Sequence, residues 1–277
     1  MMRIFFLLPT VFLSWCACIV SGIQRPVYIK NILIRLFIRL YNVDISAVEK
    51  EPAEYSSFRE FFVRKLRPDA RSLQGDEYTL VSPADGRIVV CGTVDSDTCF
   101  NVKGSRYSAE DLTGSRNDAV RFQGGAFAVI HLRPFDYHRV HMPCAGTVTG
   151  CGFFRGRLFP VNEKGLRTFR NIYVRNRRRI TLCSGECGTF ALVTVGAFNV
   201  GRIPVEYSIP ETGCGYFPVL SGQEFGKGEE IARFEIGSTV VLLFEKGRVE
   251  LDNLEPDREI RMGERIGRIA GKDGDPG

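Results

Sequence analysis

The sequence is poor in the residues on which metal and disulfide chemistry depend. It has three histidines and one tryptophan in 277 residues, so the position of each histidine carries information. Its nine cysteines are an odd number, and none sits in a Cys-x-x-Cys pair. Cys16 and Cys18 lie in an apolar run, and Cys183 and Cys187 have no ligand cluster beside them. A zinc site draws on tighter pairs with histidine support. Scattered cysteines among apolar residues read instead as buried, reduced thiols, which points to a reducing compartment and no structural metal. A Gly-x-Ser-x-Gly elbow is also missing, which argues against a typical esterase. There is no strong excess of charge. A net charge of +5 permits contact with anionic lipid or nucleic acid without demanding either. What is present, 44% apolar and 25% charged residues, is the profile of a folded chain with room for one large domain or two modest ones.

Residues 4–22 carry no charge and are long enough to span a bilayer or to act as a signal peptide. Pro9 weakens a straight helix, and Ala17-Cys-Ile-Val-Ser21 is a poor cleavage site, so an uncleaved anchor is expected, with a buried helix as the competing reading. From Pro26 to Tyr41, Ile29, Ile32, Leu33, Leu36, Phe37 and Leu40 recur at helical spacing, with Asn31, Arg35 and Arg39 on the other side. That pattern suits either a helix lying on an anionic membrane or a core-facing one. Ser57 and Glu60 form a capping-box signature, and Pro68 closes the helix that follows.

Beyond about Leu80 the texture changes to short apolar runs between turn residues: Gly86–Val90, Ala126–Leu132, Gly146–Gly150, Thr189–Ala197 and Thr239–Phe244. The expected fold is α+β and predominantly β. Residues 69–277 form a barrel-sandwich-type β domain, preceded by N-terminal membrane-associated helices in residues 1–68. Pro83-Ala-Asp-Gly86 and Pro143-Cys-Ala-Gly146 echo each other as Pro-x-x-Gly turns before strands.

Three segments set reactive groups beside turns. Ser82-Pro-Ala-Asp-Gly86 places Asp85 ahead of a strand, although Asp-Gly is common in ordinary turns. Phe135–Pro143 holds His138 and His141, which would face opposite sides of a strand and so serve two tasks rather than one metal; paired structural histidines are the bland alternative. Gly237-Ser238 leads straight into an apolar strand, and Gly-Ser-Thr alone is too common to prove anything. An Asp, a His and a Ser together suggest an activated hydroxyl. With Gly237 leaving its own carbonyl unobstructed, Ser238 is placed to attack that carbonyl, which suits self-cleavage rather than hydrolase turnover.

Taken in order, Phe61-Phe-Val-Arg-Lys-Leu-Arg-Pro68, Ser82-Pro-Ala-Asp-Gly86, Asp136-Tyr-His-Arg-Val-His-Met-Pro143, Leu158-Phe-Pro-Val-Asn162, Val195-Gly-Ala-Phe-Asn-Val-Gly201 and Gly237-Ser-Thr239 resemble the phosphatidylserine decarboxylase family from about Ile32 to Ile269. The resemblance implies that Asp85, His141 and Ser238 form a self-processing triad. It implies cleavage at Gly237-Ser238 and conversion of Ser238 into a pyruvoyl group on chain 238–277, which stays bound to chain 1–237 as a heterodimer. It further implies decarboxylation of phosphatidylserine to phosphatidylethanolamine through a Schiff base on that ketone. His138 is the candidate acid, on the argument that histidine titrates near neutral pH. Asn176-Arg177-Arg178 departs from the family's usual Asn-Glu-Arg.

A soluble pyruvoyl decarboxylase, a barrel-sandwich carrier module and a Ser-His-Asp hydrolase are the alternatives. The first needs no apolar N-terminal segment, the second lacks its hairpin lysine here, and the third predicts an intact chain. Arg175-Asn-Arg-Arg-Arg179 lacks the interleaved aromatics of a nucleic-acid patch and reads as a solvated strand edge. Arg25, Lys30, Arg35 and Arg39 follow the apolar run. They predict an anionic membrane surface as partner and an inner-membrane location with the catalytic domain on the cytoplasmic side.

Overall fold

Seven consecutive residues, Ser238–Phe244, are all buried, because this strand runs through the middle of a sheet covered on both faces. Val240, Leu242 and Phe244 enter one core, whereas Val241 and Leu243 enter the other, as the two-residue period of a strand requires. Each such Val or Leu contributes about 1.5–3 kcal/mol when fully buried. The computed structural model describes residues 22, 24–95, 100–102, 104–197, 203–209, 214–219, 222–235 and 238–272.

Across the sheet the order is Gly215–Pro218, Gly146–Phe154, Arg178–Gly185, Gly188–Gly196, Ser238–Phe244, Ala126–Leu132, Gly86–Thr93 and Glu259–Ile260, with Glu224–Phe225 also joined to Gly146–Phe154. Every pairing in it is antiparallel. The two end strands do not meet among the described residues, so the sheet is open and the expected barrel-type closure is not seen. All five strands expected from sequence are present. Those beginning at Gly86 and Gly146 run on to Thr93 and Phe154.

Ahead of the sheet, helix α1 (Val27–Tyr41) follows Pro26, and helix α2 (Phe58–Phe62) is capped by Ser57, whose hydroxyl accepts from Glu60 N. The capping box is shifted by one residue, since the Glu60 carboxylate accepts from Ser56 N rather than from the cap itself. Helix α1 buries Ile34 and, unexpectedly, Lys30, whose Nζ donates to the carbonyls of Ala53 at 2.7 Å and Tyr55 at 2.5 Å. Lys30 therefore leaves the set of basic residues available to a membrane. Tyr28, Ile32, Leu36 and Leu40, four residues apart, form an exposed apolar ridge beside exposed Arg35 and Arg39. Among the described residues no helix is long and apolar enough to cross a membrane, and of the uncharged run 4–22 only Gly22 is described.

Two other expectations change. The arginine-rich segment enters an internal strand rather than a solvated edge. Buried Arg178 donates to the carbonyls of Leu112, Asp111 and Val174 and lies 4.2 Å from the Phe154 ring. Cys144, Cys151, Cys183 and Cys187 are free and buried, but Cys214 is exposed; Cys16, Cys18 and Cys99 lie outside the described residues.

Candidate functional site

The two Pro-x-x-Gly turns meet. Val81 N donates to Pro143 O at 2.9 Å and His141 N donates to Pro83 O at 2.8 Å, so the turn carrying Asp85 and the segment carrying His138 and His141 are stitched together by backbone. Phe234 N donates to His138 O, which draws in the chain that leads to Ser238. These bonds bring together Asp85, His138 and His141, and tie Phe234, four residues before Ser238 in sequence, to His138.

Asp85 and His141 have definite partners on both sides. Asp85 Oδ2 takes a 2.8 Å ion pair from Arg71 Nη2, and its Oδ1 accepts from Met262 N at 2.7 Å. His141 Nδ1 faces Gly228 O at 2.8 Å, and Nε2 faces the Tyr137 hydroxyl at 3.0 Å. A carbonyl can only accept, so the ring hydrogen is on Nδ1 and the lone pair on Nε2, where Tyr137 donates. Asp85 and His141 thus share no hydrogen bond. The carbonyl of Gly228 orients the imidazole, and the Asp85 charge acts on it through space. Burial lowers the His141 pKa, with the nearby charges of Glu230 and Asp85 opposing that shift. Gly228 reaches this position with φ +78°, a conformation suited to glycine, and a Cβ there would strike the Leu73 side chain.

His138 is fully buried. Its Nδ1 donates to Asp136 O at 2.7 Å, and its Nε2 has no hydrogen-bond partner among the described residues. The Phe62 ring lies 4.2 Å away, between centroids, and burial drives the imidazole pKa down to about 3. That removes the argument that His138 is an acid because it titrates near neutrality: in this state Nε2 is an unprotonated acceptor. Ser238, also fully buried, pairs with Leu132 on one side and Gly196 on the other, and its Oγ has no partner among the described residues. The strand alternation puts this hydroxyl on the face of Leu132 and Val240. Gly237, the other side of the expected cleavage point, lies outside the described residues.

The third histidine, His131, stands opposite Thr239, with Nδ1 3.4 Å from Thr239 Oγ1, and so sits on the other face from the Ser238 hydroxyl. Sequence reasoning overlooked Arg71 and Tyr137. Tyr137 was in plain view between the histidines, whereas nothing about Arg71 in sequence points to Asp85. Asn176, beside the departure at Arg177, is buried and ties two of the ordered segments together, its amide bonding Phe159 N, Phe159 O and Gly196 O.

A buried serine hydroxyl without a partner among the described residues, in a chain whose candidate imidazole and carboxylate are not bonded to each other, is unlike a hydrolase relay. Comparison with known proteins agrees. The phosphatidylserine decarboxylase family model matches residues 58–268. The chain is 36% identical over 273 residues to a phosphatidylserine decarboxylase proenzyme of Myxococcus xanthus, covering 97% of this chain and 98% of that one. It is 39% identical over 272 residues to the proenzyme of the same name from Anaeromyxobacter sp., covering 95% and 96%. The proenzyme of Halorhodospira halophila is likewise 39% identical over 272 residues, covering 95% of this chain and 91% of its own. The chain belongs to the phosphatidylserine decarboxylase family.

Proposed function

We propose that this protein cuts itself between Gly237 and Ser238 and then decarboxylates phosphatidylserine to phosphatidylethanolamine, releasing carbon dioxide. The observation that carries the reading is the Ser238 hydroxyl, sealed at the head of the central strand without a partner among the described residues, in a chain that stitches the Asp85 turn to the segment of His138 and His141. The proenzyme names of the relatives support it.

In the cut, Ser238 Oγ bonds to the Gly237 carbonyl carbon and the peptide C–N bond breaks, giving an ester and a free amine on Ser238. Loss of the Ser238 α-proton then breaks the Cβ–O bond and leaves a carboxylate on Gly237. The unsaturated residue takes up water and loses ammonia, which yields the pyruvoyl group. His141 Nε2 is the lone pair available to receive the hydroxyl proton, with Tyr137 standing on it. Glu230 and Asp85, the latter anchored by Arg71 and Met262 N, are the nearby negative charges that favour a protonated His141. The two product chains stay together because Ser238–Phe244 is hydrogen-bonded between two strands of the larger chain and Arg265–Ile269 pairs with Thr79–Val81.

The pyruvoyl ketone supplies the site for the substrate amine and the sink for the electron pair freed as carbon dioxide leaves. The substrate amine arrives as an ammonium and must lose a proton to attack. We assign to His138 Nε2, whose ring hydrogen is committed on Nδ1, the exchange of a proton with the bound substrate. The apolar ridge of α1 with Arg35 and Arg39 supports docking on an anionic membrane, and we place the enzyme at the cytoplasmic face of an inner membrane. Intact mass spectrometry of purified protein tests the core of the reading. Two chains are expected, the smaller one beginning with a pyruvoyl group at residue 238, together with carbon dioxide release from phosphatidylserine micelles. A single uncut chain that still decarboxylates would overturn the reading.

A further inference from the structure

Arg64 is 4% exposed, yet no carboxylate is paired with it among the described residues. Its Nη2 donates to Phe135 O at 2.8 Å and Asp136 O at 3.4 Å, and the guanidinium carbon lies 5.3 Å from the Phe61 ring centroid. Nε and Nη1 are buried and have no partner among the described residues. Three other arginines around the site each hold an acid: Arg71 takes Asp85 at 2.8 Å, Arg133 takes Asp136 at 3.0 Å, and Arg139 takes Glu230 at 2.6 Å. The two carboxylates whose charge reaches Arg64, Asp85 and Asp136, are therefore already claimed. A buried cation left this way is costly, and burial lowers its pKa. An arriving anion would relieve that cost.

The location indicates which anion. The carbonyl of Asp136 that receives Arg64 also receives His138 Nδ1, so the guanidinium and the imidazole hang on one peptide group. Arg64 Nε and Nη1, His138 Nε2 and Ser238 Oγ are all sealed and unpartnered among the described residues. A substrate handled at His138 is therefore handled beside Arg64. Building on the function proposed above, we infer that Arg64 is the anchor for the phosphodiester of the lipid headgroup, held through the free Nε and Nη1 edge. The carboxylate is the poorer candidate. A guanidinium holding it would stabilise the charge that must be lost as carbon dioxide forms, so it would favour the ground state over the transition state. The phosphodiester keeps its charge throughout, and guanidinium geometry matches it.

The test uses self-cleaved enzyme and borohydride-type trapping of amines on the pyruvoyl group, read by mass of the smaller chain. Glycerophosphoethanolamine carries amine and phosphodiester, serine carries amine and carboxylate, and ethanolamine carries the amine alone. Wild-type protein should trap glycerophosphoethanolamine at concentrations about tenfold or more below those needed for ethanolamine, the size of a charge-assisted hydrogen-bonded contact. In Arg64→Met that ratio should fall to near one. Arg64→Lys, which keeps the charge without the fork and guards against a Met variant that fails to fold or cut, should retain only part of the ratio.

If both variants that cut keep the wild-type ratio, or lose all three amines in proportion, Arg64 is a packing residue and the inference is overturned. If the advantage lost is that of serine instead, the anion is the carboxylate and the phosphodiester assignment is wrong. Failure of wild-type protein to trap any amine would instead remove the pyruvoyl reading itself, and this inference with it.

Discussion

Acidification should destabilise the fold through His138 in a pH range where carboxylates are silent. The imidazole is fully buried, with Nδ1 committed to Asp136 O, and its pKa is lowered from 6.5 to about 3. In the unfolded chain it recovers the ordinary value. Below pH 6.5 the unfolded state therefore binds a proton that the folded state does not, and stability falls as the pH drops from there toward the folded pKa of about 3. Each pH unit in that window removes about 1.4 kcal/mol, so the loss from this one residue is about 2 kcal/mol between roughly pH 7.5 and pH 5. For a chain of this size that corresponds to a Tm lower by about 4–8 °C. His131, whose pKa is lowered to about 4, adds a loss of nearly the same size over this interval, and His141, lowered as well, adds to it.

Asp and Glu side chains titrate mostly below this range, so histidine dominates it. The measurement is urea unfolding of the uncut Ser238→Ala chain at both pH values, with His138→Asn alongside. The variant should lose about 2 kcal/mol of the pH dependence whatever its absolute stability. An untagged chain with three histidines also permits direct titration of each ring by NMR. A His138 signal that titrates near its unperturbed value, or a His138→Asn variant with the full wild-type slope, would refute the assignment of a neutral, sealed imidazole.

Two further outcomes follow from the site and from α1. Tyr137→Phe removes the hydroxyl 3.0 Å from His141 Nε2, and the self-cutting rate, followed on denaturing gels, should fall about 100-fold if that hydroxyl passes the proton; unchanged or faster cutting would show that Tyr137 only occupies the nitrogen. Replacing Ile32 and Leu36 together by Asp should reduce sedimentation with phosphatidylserine-containing vesicles at least about tenfold while self-cutting proceeds, since the ridge they belong to is exposed and holds no site residue; undiminished sedimentation would exclude that face as the docking surface.

Much of this protein is local, and therefore legible in its sequence. Helix α1, the Ser57 cap and the five main strands follow from side-chain period and turn chemistry, which act over a few residues. The ordered motifs bring Asp85, His138, His141 and Ser238 into view together, because reactive residues beside turns survive as linear patterns. Tertiary structure alone decided how those groups are wired. That Arg71 and Met262 occupy Asp85, and that Gly228 rather than Asp85 orients His141, depends on turns far apart in sequence exchanging backbone hydrogen bonds. Burial is equally non-local. The same Lys30 that reads as a membrane-facing cation is consumed by Ala53 and Tyr55, and Arg178 in a basic run caps carbonyls beneath the sheet. Residue type sets what a side chain can do, but desolvation and partners set its charge, and both depend on what the rest of the chain places around it.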